Sequence, residues 1–264
     1  MKKTLCGLVK SPIHWYKNIS LFFFSIGLTN SPNSPCLFTG KLIPGKSPLY
    51  FGLYVDDFAY FSTSDEVESI FNKLLVCKYT VSYDDCLDWF LAMKFDWLET
   101  DKVLNCHVHQ EVFILDIVDC YNLSYCNKSP RATPFRSGIT VDNIAPSTLP
   151  EAKQNILLEK HQQIIGDLNW LSISTCQYII AIISLLEANT QSPATAHYDS
   201  ALHVVKYLAS TSSYGLYYTS DLTKPLHAFT HSPPYSISLQ AFCGANLWTL
   251  PQRYCPELLS SRSP

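Results

Sequence analysis

Two adjacent aspartates, Asp56 and Asp57, interrupt an apolar run that extends from Tyr50 to Phe61. The run is rich in aromatic residues, which are typical of strands. Burying two ionised carboxylates is costly unless they are paired, hydrogen-bonded or bound to a cation. We therefore predict two short strands joined by a tight turn at Asp56 and Asp57, with both carboxylates at an exposed tip. A hard divalent cation such as magnesium suits such a pair, and an ordinary surface turn is the alternative.

Composition and charge narrow the class of protein. The 264 residues are 47% hydrophobic, which excludes wholesale disorder, and the net charge is -3. That charge provides no basic field for tight, autonomous binding of nucleic acid, so it counts against an efficient polymerase. The ten cysteines include no C-x-x-C pair, and we interpret most of them as buried thiols of an intracellular protein, in the cytoplasm or nucleus.

One stretch, Ile164 to Leu186, has the length of a membrane span. Asp167, Asn169 and Gln177 interrupt it, so we predict a buried core helix and no membrane partner. The N-terminus carries Lys2 and Lys3 without a secretory core, and we expect no signal peptide.

The order of the predicted elements indicates an α+β fold. Pro12 and Gly27 bracket a first helix, and Ser64 is a plausible cap for a second, with apolar Val67, Ile70, Phe71 and Leu74 at helical spacing. The full series of predicted elements is a helix at 12–28, turns at 31–35 and 44–48, a strand pair at 49–62, a helix from 64, a strand pair at 89–95 and 103–108, helices at 110–122, 151–174, 176–190 and 194–210, and short strands from 214.

Several motifs occur in an order that resembles one known family. Residues 5–12 (L-C-G-L-V-K-S-P) are followed by Trp15-Tyr16, and Y-V-D-D stands at residues 54–57. This series resembles the L-Y-G-L-K-Q-A/S-P-x-x-W-Y and Y-V-D-D motifs of the reverse transcriptase of copia-type long-terminal-repeat retrotransposons. Further elements similar to those of the family are S-P-x-x-x-C-L-F at 31–38, A-T-P at 132–134, G-D-L-N-W-L at 166–171, Q-S-P-x-x-x-H-Y at 191–198, V-K-Y-L at 205–208 and Y-G-L at 214–216.

The resemblance implies part of a right-hand polymerase. Residues 1–110 would form partial fingers and palm, an antiparallel sheet with packed helices that carries the Y-V-D-D hairpin and a primer-gripping hairpin. Residues 111–213 would be a thumb-like helical region with a linker at 129–150. Residues 214–250 would be the opening strands of a fragmentary ribonuclease H-like domain, and 251–264 a disordered tail.

The family is an RNA-directed DNA polymerase, a nucleotidyltransferase that uses two magnesium ions held by three aspartates. The resemblance makes Asp56 and Asp57 the catalytic metal ligands. It implies an RNA or DNA template-primer as partner, together with other parts of the retroelement polyprotein.

The same resemblance assigns primer and substrate contacts. Tyr54 would lie near the primer end, with packing inside a strand as the alternative. Gly7, Lys10 and Pro12 would form the helix entry beside the incoming base pair, where a missing side chain allows close approach.

Departures from the family pattern predict that this chain has no independent polymerase activity. The first catalytic aspartate of the family precedes the L-Y-G-L motif, and residues 1–53 contain neither Asp nor Glu. Gly244 stands where the ribonuclease H domain has its first metal-binding aspartate, so nuclease activity is not expected either. Cys176 and Tyr178 replace the Arg and Asp of the family's T-R-P-D-I helix, a paired loss that a core tolerates.

A non-catalytic module that binds nucleic acid or a retroelement protein is the alternative function. Its candidate cations include Lys17, Arg131 and Lys206, although the net charge favours an ordinary solvated surface for them. A chain that never folds stably is a third, weaker alternative. His107 and His109 alternate on one predicted strand face and would chelate a metal weakly, with ordinary surface histidines as the favoured interpretation.

Overall fold

The computed structural model describes residues 11–82, 86–100, 103–123, 131–135 and 149–220, together with the backbone of Leu247–Trp248. The chain divides into two compact units, Met1–Leu91 and Ala92–Pro264, and each is described by itself. The elements alternate between helices and antiparallel strands, which confirms the α+β class. The assignment of these elements to palm and thumb stays a prediction.

The first unit combines helices with a four-stranded antiparallel sheet of order β1-β2-β3-β4. Its elements are α1 Ser11–Ser25, β1 Thr29–Ser31, β2 Ser34–Gly40, β3 Leu49–Tyr54, β4 Asp57–Phe61, α2 Asp65–Lys78 and β5 Trp89–Phe90.

The core of this unit is aromatic. Phe51 on β3 packs against Phe23 on α1 and Phe71 on α2, with ring centroids 4.5 and 5.6 Å apart. All three rings are fully buried. Because both helices reach the same strand residue, they cover the same face of the sheet. This packing fixes the sheet that carries the aspartate pair.

The predictions for this unit were right in outline and wrong in three details. The first helix was predicted at 12–28, but α1 ends earlier, at Ser25. Gly27, just beyond its end, has a φ of +88°, which favours glycine. Turns were predicted around residues 31–35, but β2 begins at Ser34. In α2, Leu75 is buried and Leu74 is 37% exposed, so the predicted inward face is one residue out at its C-terminal end.

The second unit joins an antiparallel sheet of order β6-β7-β8-β9 to a block of helices. Its elements are β6 Met93–Thr100, β7 Val103–His109, α3 Glu111–Cys120, α4 Glu151–Ile173, a 3₁₀ turn at Gln177–Ile179, α5 Ile180–Glu187, α6 Thr195–Ser210, β8 Gly215–Thr219 and β9 Leu247–Trp248.

The predicted helical block is confirmed. The stretch of membrane-span length is two helices, since α4 ends at Ile173 and α5 begins at Ile180. Its apolar residues contribute to a common core that also includes Ile114 and Val204. Within the described ranges, no helix is both long and apolar enough to span a bilayer. Cys176, at the position of the family's Arg, is completely buried in this core.

Strand β8 lies beside β7, with Leu216 opposite Val108. The strand predicted to begin a ribonuclease H-like region therefore belongs to the same sheet as the predicted primer-gripping hairpin. Most of the predicted 129–150 linker and the predicted 251–264 tail lie outside the described residues. The predicted domain boundaries and the intracellular location stay predictions.

Candidate active-site hairpin

The aspartate pair lies at the tip of the antiparallel hairpin formed by β3 and β4. Tyr54 is the register partner of Asp57, so Val55 and Asp56 form a two-residue loop. Both aspartates are exposed. The predicted exposed tip between two strands is confirmed, but the turn lies one residue earlier than predicted, because Asp57 is already the first residue of β4.

The backbone of Val55 is strained. Its φ is +51°, in the left-handed region that a β-branched residue rarely adopts. Two-residue hairpin loops need a positive φ at their first position to match the twist of the strands, and glycine usually occupies it. Such a conformation costs about 1–3 kcal/mol and persists only where the surroundings hold it. Contacts around the tip must therefore offset this cost.

Helix α1 supplies one of the contacts that hold this tip. The indole Nε1 of Trp15 donates a hydrogen bond of 2.6 Å to the carbonyl oxygen of Val55. The Trp15 ring also meets the ring of Tyr79 edge-on, with centroids 5.4 Å apart. Next to it, the Tyr16 hydroxyl donates to the Pro35 carbonyl at 2.9 Å. The Trp-Tyr dipeptide of the sequence motif thus links α1 to the hairpin tip and to β2.

Of the other predicted contact residues, the structure describes Tyr54 and Pro12. Tyr54 is 53% exposed, so its ring is not part of the buried core, and packing within the strand stays the alternative to a primer contact. Pro12 is exposed in the first turn of α1. Gly7 and Lys10 lie outside the described residues. The structure therefore tests neither the primer contact nor the helix entry.

Two exposed carboxylates fit the donor set that Mg²⁺ takes, which is one or two carboxylates completed by water and substrate phosphates. They do not make a complete protein site. Among the described residues, no third ligating side chain joins Asp56 and Asp57 in a close cluster. The tip is suited to hold a cation that a bound phosphate also holds, and not to bind one tightly by itself.

The chain is similar to three transposon proteins. It is 24% identical over 231 residues to the retrovirus-related Pol polyprotein from transposon RE2 of Arabidopsis thaliana, and 25% identical over 232 residues to that from transposon RE1. It is 24% identical over 243 residues to the putative transposon Ty5-1 protein of Saccharomyces cerevisiae. Each match covers 87% of this chain.

These similarities support a retrotransposon Pol-derived region. The chain spans about 15% of the length of the two plant polyproteins and 73% of the yeast protein. No family model matches the chain. No solved structure matches it either.

Proposed function

We propose that this chain is part of the reverse transcriptase of a copia-type retrotransposon, an RNA-directed DNA polymerase, and that it has no polymerase activity by itself. The observation that carries the proposal is the Y-V-D-D hairpin, whose two carboxylates lie at an exposed, strained tip between antiparallel strands. Trp15, from the preceding motif of the same series, holds that tip. The similarity to Pol polyproteins supports the same origin.

Magnesium, when bound, would supply charge neutralisation at the phosphates and activation of a hydroxyl nucleophile. Asp56 and Asp57 would hold it. The tip's contribution is positional, because the Trp15 hydrogen bond and the β3–β4 register fix both carboxylates before any nucleotide arrives. Tyr54, half-exposed next to them, would lie against the primer end.

A third carboxylate has to come from elsewhere. Residues 1–53 hold no Asp and no Glu. A site with two of three carboxylates has weaker metal affinity and less stabilisation of the charge that develops in the transition state. We therefore expect activity only when a polymerase segment that carries a further aspartate completes the site.

Primer extension tests the proposal. The purified chain is given Mg²⁺, nucleotides and an RNA template with a DNA primer, with and without a copia-type polymerase segment that ends before the L-Y-G-L motif. We expect no extension by the chain alone, and extension with the added segment that Asp56→Asn abolishes. The Lys46→Gln variant, altered at an exposed ion pair away from the tip, is the control and retains the extension.

Two outcomes would contradict the proposal. Extension by the chain alone that Asp56→Asn abolishes would overturn the claim of inactivity. Extension that survives Asp56→Asn in the combined reaction would show that the tip is not the catalytic site. A salt-dependent gel shift on the same template-primer, unchanged in Asp56→Asn and without any extension, would favour the non-catalytic binding module instead.

A further inference from the structure

Three side chains with metal-binding atoms converge in the second unit. Asp96 lies on β6, and His107 and His109 lie two residues apart on β7, so all three point to one face of the sheet. In the register of the hairpin, Asp96 is directly opposite His107. One ligand atom from each residue lies within 4.8 Å of the other two. They are the one close cluster of three such side chains among the described residues.

The His107 ring has an unused nitrogen. Its Nε2 is buried and has no hydrogen-bond partner. An unpaired polar atom in a buried place costs stability, and such an atom calls for an explanation.

Glycine at position 215 lets strand β8 pack closely against that nitrogen. Gly215 on β8 is the register partner of His109. A Cβ atom at Gly215 would lie 2.8 Å from His107 Nε2 and 2.9 Å from His109 Cβ. Any other residue here would therefore push against the two histidines. The ring of Tyr217 stacks on the imidazole of His107, with ring centroids 4.1 Å apart and planes 7° from parallel. This stacking fixes the orientation of His107.

His109 is oriented from its opposite side. The backbone N–H of Glu111 donates to His109 Nδ1 at 3.3 Å. Nδ1 therefore accepts, and in the neutral ring the proton is on Nε2, which donates to Asp96 Oδ2 at 2.9 Å. A metal-bound imidazole usually donates a hydrogen bond from its far nitrogen, so metal binding at Nε2 requires the other neutral tautomer of His109, with its proton on Nδ1 and the hydrogen bond from Glu111 given up.

A cation would take the place of the His109 Nε2 proton beside Asp96 Oδ2, and that proton would move to Nδ1 of the same ring, which keeps the imidazole neutral. Lys94 pairs with the other oxygen, Asp96 Oδ1, at 3.0 Å, so Oδ2 stays directed at the histidines. The carboxylate is 48% exposed and His109 is 7% exposed, which leaves the carboxylate side accessible to an ion from solvent. Two imidazoles and one carboxylate form a donor set that zinc takes, with water in the remaining position.

We propose that Asp96, His107 and His109 form a binding site for a divalent transition-metal ion of the zinc class. The ion cross-links β6 to β7 and gives the unpaired His107 nitrogen its partner. The site is independent of the Asp56–Asp57 hairpin, which offers only oxygen ligands, and it stands if the polymerase proposal fails. It also revises the prediction of ordinary surface histidines, because His109 is buried and both rings face a third ligand.

Titration of the full, metal-free chain with Co²⁺ tests the site. Cobalt in a zinc-type site gives visible absorption bands whose strength reports its geometry. We expect such bands to saturate at one equivalent, and Zn²⁺ to displace the Co²⁺. We also expect Zn²⁺ to raise the melting temperature, since an ion that binds only the folded state stabilises it.

The variants assign the ligands. Asp96→Asn and His107→Gln should each weaken Zn²⁺ binding by at least about tenfold, the smallest effect expected for losing a ligand. His14→Gln, which changes an exposed histidine of the first unit, should leave binding unchanged. Asp96 is half-exposed, so Asp96→Asn keeps the test valid if the His107 variant fails to fold. Far-UV circular dichroism verifies the fold of each.

Three results would overturn the proposal. The first is the absence of a saturable Co²⁺ spectrum in the wild-type chain. The second is binding that Asp96→Asn leaves unchanged. Charge-transfer bands of cobalt bound to sulfur, retained in both variants, would assign the ion to some of the ten cysteines and would also overturn it.

Discussion

The two candidate metal sites are built in opposite ways. The hairpin tip at Asp56 and Asp57 consists of neighbouring residues, is exposed and offers oxygen atoms only. The cluster of Asp96, His107 and His109 joins residues of two strands, is partly buried and offers two nitrogen atoms. The first matches a hard ion that shares its ligands with a phosphate, and the second a borderline ion held by protein atoms. A site that must admit a substrate is left open, whereas a site that binds its ion alone needs ligands fixed by packing.

Replacement of Gly215 by alanine should have the largest effect on stability. The new Cβ would lie 2.3 Å from the Val108 carbonyl oxygen and 2.8 Å from His107 Nε2, so backbone or ring has to move. We expect a loss of about 1–3 kcal/mol in the free energy of unfolding, the range of overpacked cores. Urea unfolding followed by circular dichroism measures it.

Gly52→Ala is the matched control for that change in the other unit. Gly52 also lies in a strand, and its nearest atom to a new Cβ is Ala59 O at 3.8 Å, an ordinary contact. We expect the free energy of unfolding to change by less than about 0.5 kcal/mol. Equal losses in Gly52→Ala and Gly215→Ala would show that glycine has no special role beside the histidines.

The second effect concerns the support of the hairpin tip. Trp15→Phe keeps a ring against Tyr79 but removes the donor to the Val55 carbonyl. We expect a loss of about 1 kcal/mol, the usual net value of one such hydrogen bond. Hydrogen exchange of the amides at the tip, compared with wild type, should be faster in the variant. Unchanged exchange would mean that α1 does not hold the tip.

Val55→Gly should stabilise the protein, whereas Trp15→Phe should destabilise it. Glycine adopts a φ of +51° without strain, although it also loses more entropy on folding. We expect a net gain of about 0.5–1 kcal/mol in the free energy of unfolding, measured in the same urea experiment. A destabilised variant would contradict the assignment of strain to the tip.

A smaller effect is expected in the pH dependence of stability. It should distinguish the half-buried carboxylate of Asp167 from the exposed carboxylates of Asp56 and Asp57. Burial raises the pKa of the Asp167 carboxyl above its usual 3.8, and the hydroxyl of Tyr121 lies 3.4 Å away. A raised pKa in the folded state means that the ionised form opposes folding, and that this penalty appears as pH rises through the folded pKa. Asp167→Asn should therefore raise the melting temperature at pH 7 and leave it unchanged below about pH 3.8.

Asp56→Asn is the comparison for that pH dependence. Its carboxylate is exposed, so the melting temperature should change little at either pH. A rise at pH 7 in Asp56→Asn equal to that in Asp167→Asn would contradict the contrast between the two carboxylates.

The sequence predicted what is encoded by neighbouring residues. The hairpin, the start of α2 at Asp65 and the helical block from Glu151 all follow from local patterns and are confirmed. The turn was displaced by one residue, because a valine in the left-handed region is not visible from side-chain pattern. Strand β2 was missed because Ser34 and Pro35 at its start are typical of turns.

Features set by pairing between distant segments were not predictable. Asp96 joins His107 only through the β6–β7 register, and Gly215 reaches both histidines only because β8 lies beside β7. A signal did exist in the alternation of His107 and His109 on one strand face. That signal did not identify Asp96 as the third ligand, because no local sequence pattern shows which residue of the neighbouring strand lies opposite.

The most direct test of the central claim, that the hairpin tip holds a hard divalent cation, is Mn²⁺-induced line broadening in the NMR spectrum of the chain with a nucleoside triphosphate present. The account predicts that the amides of residues 54–58 broaden first, and that Asp56→Asn together with Asp57→Asn removes this broadening. Broadening that is equal at the exposed acidic turn of α2, or that persists at the tip without both carboxylates, would contradict the claim.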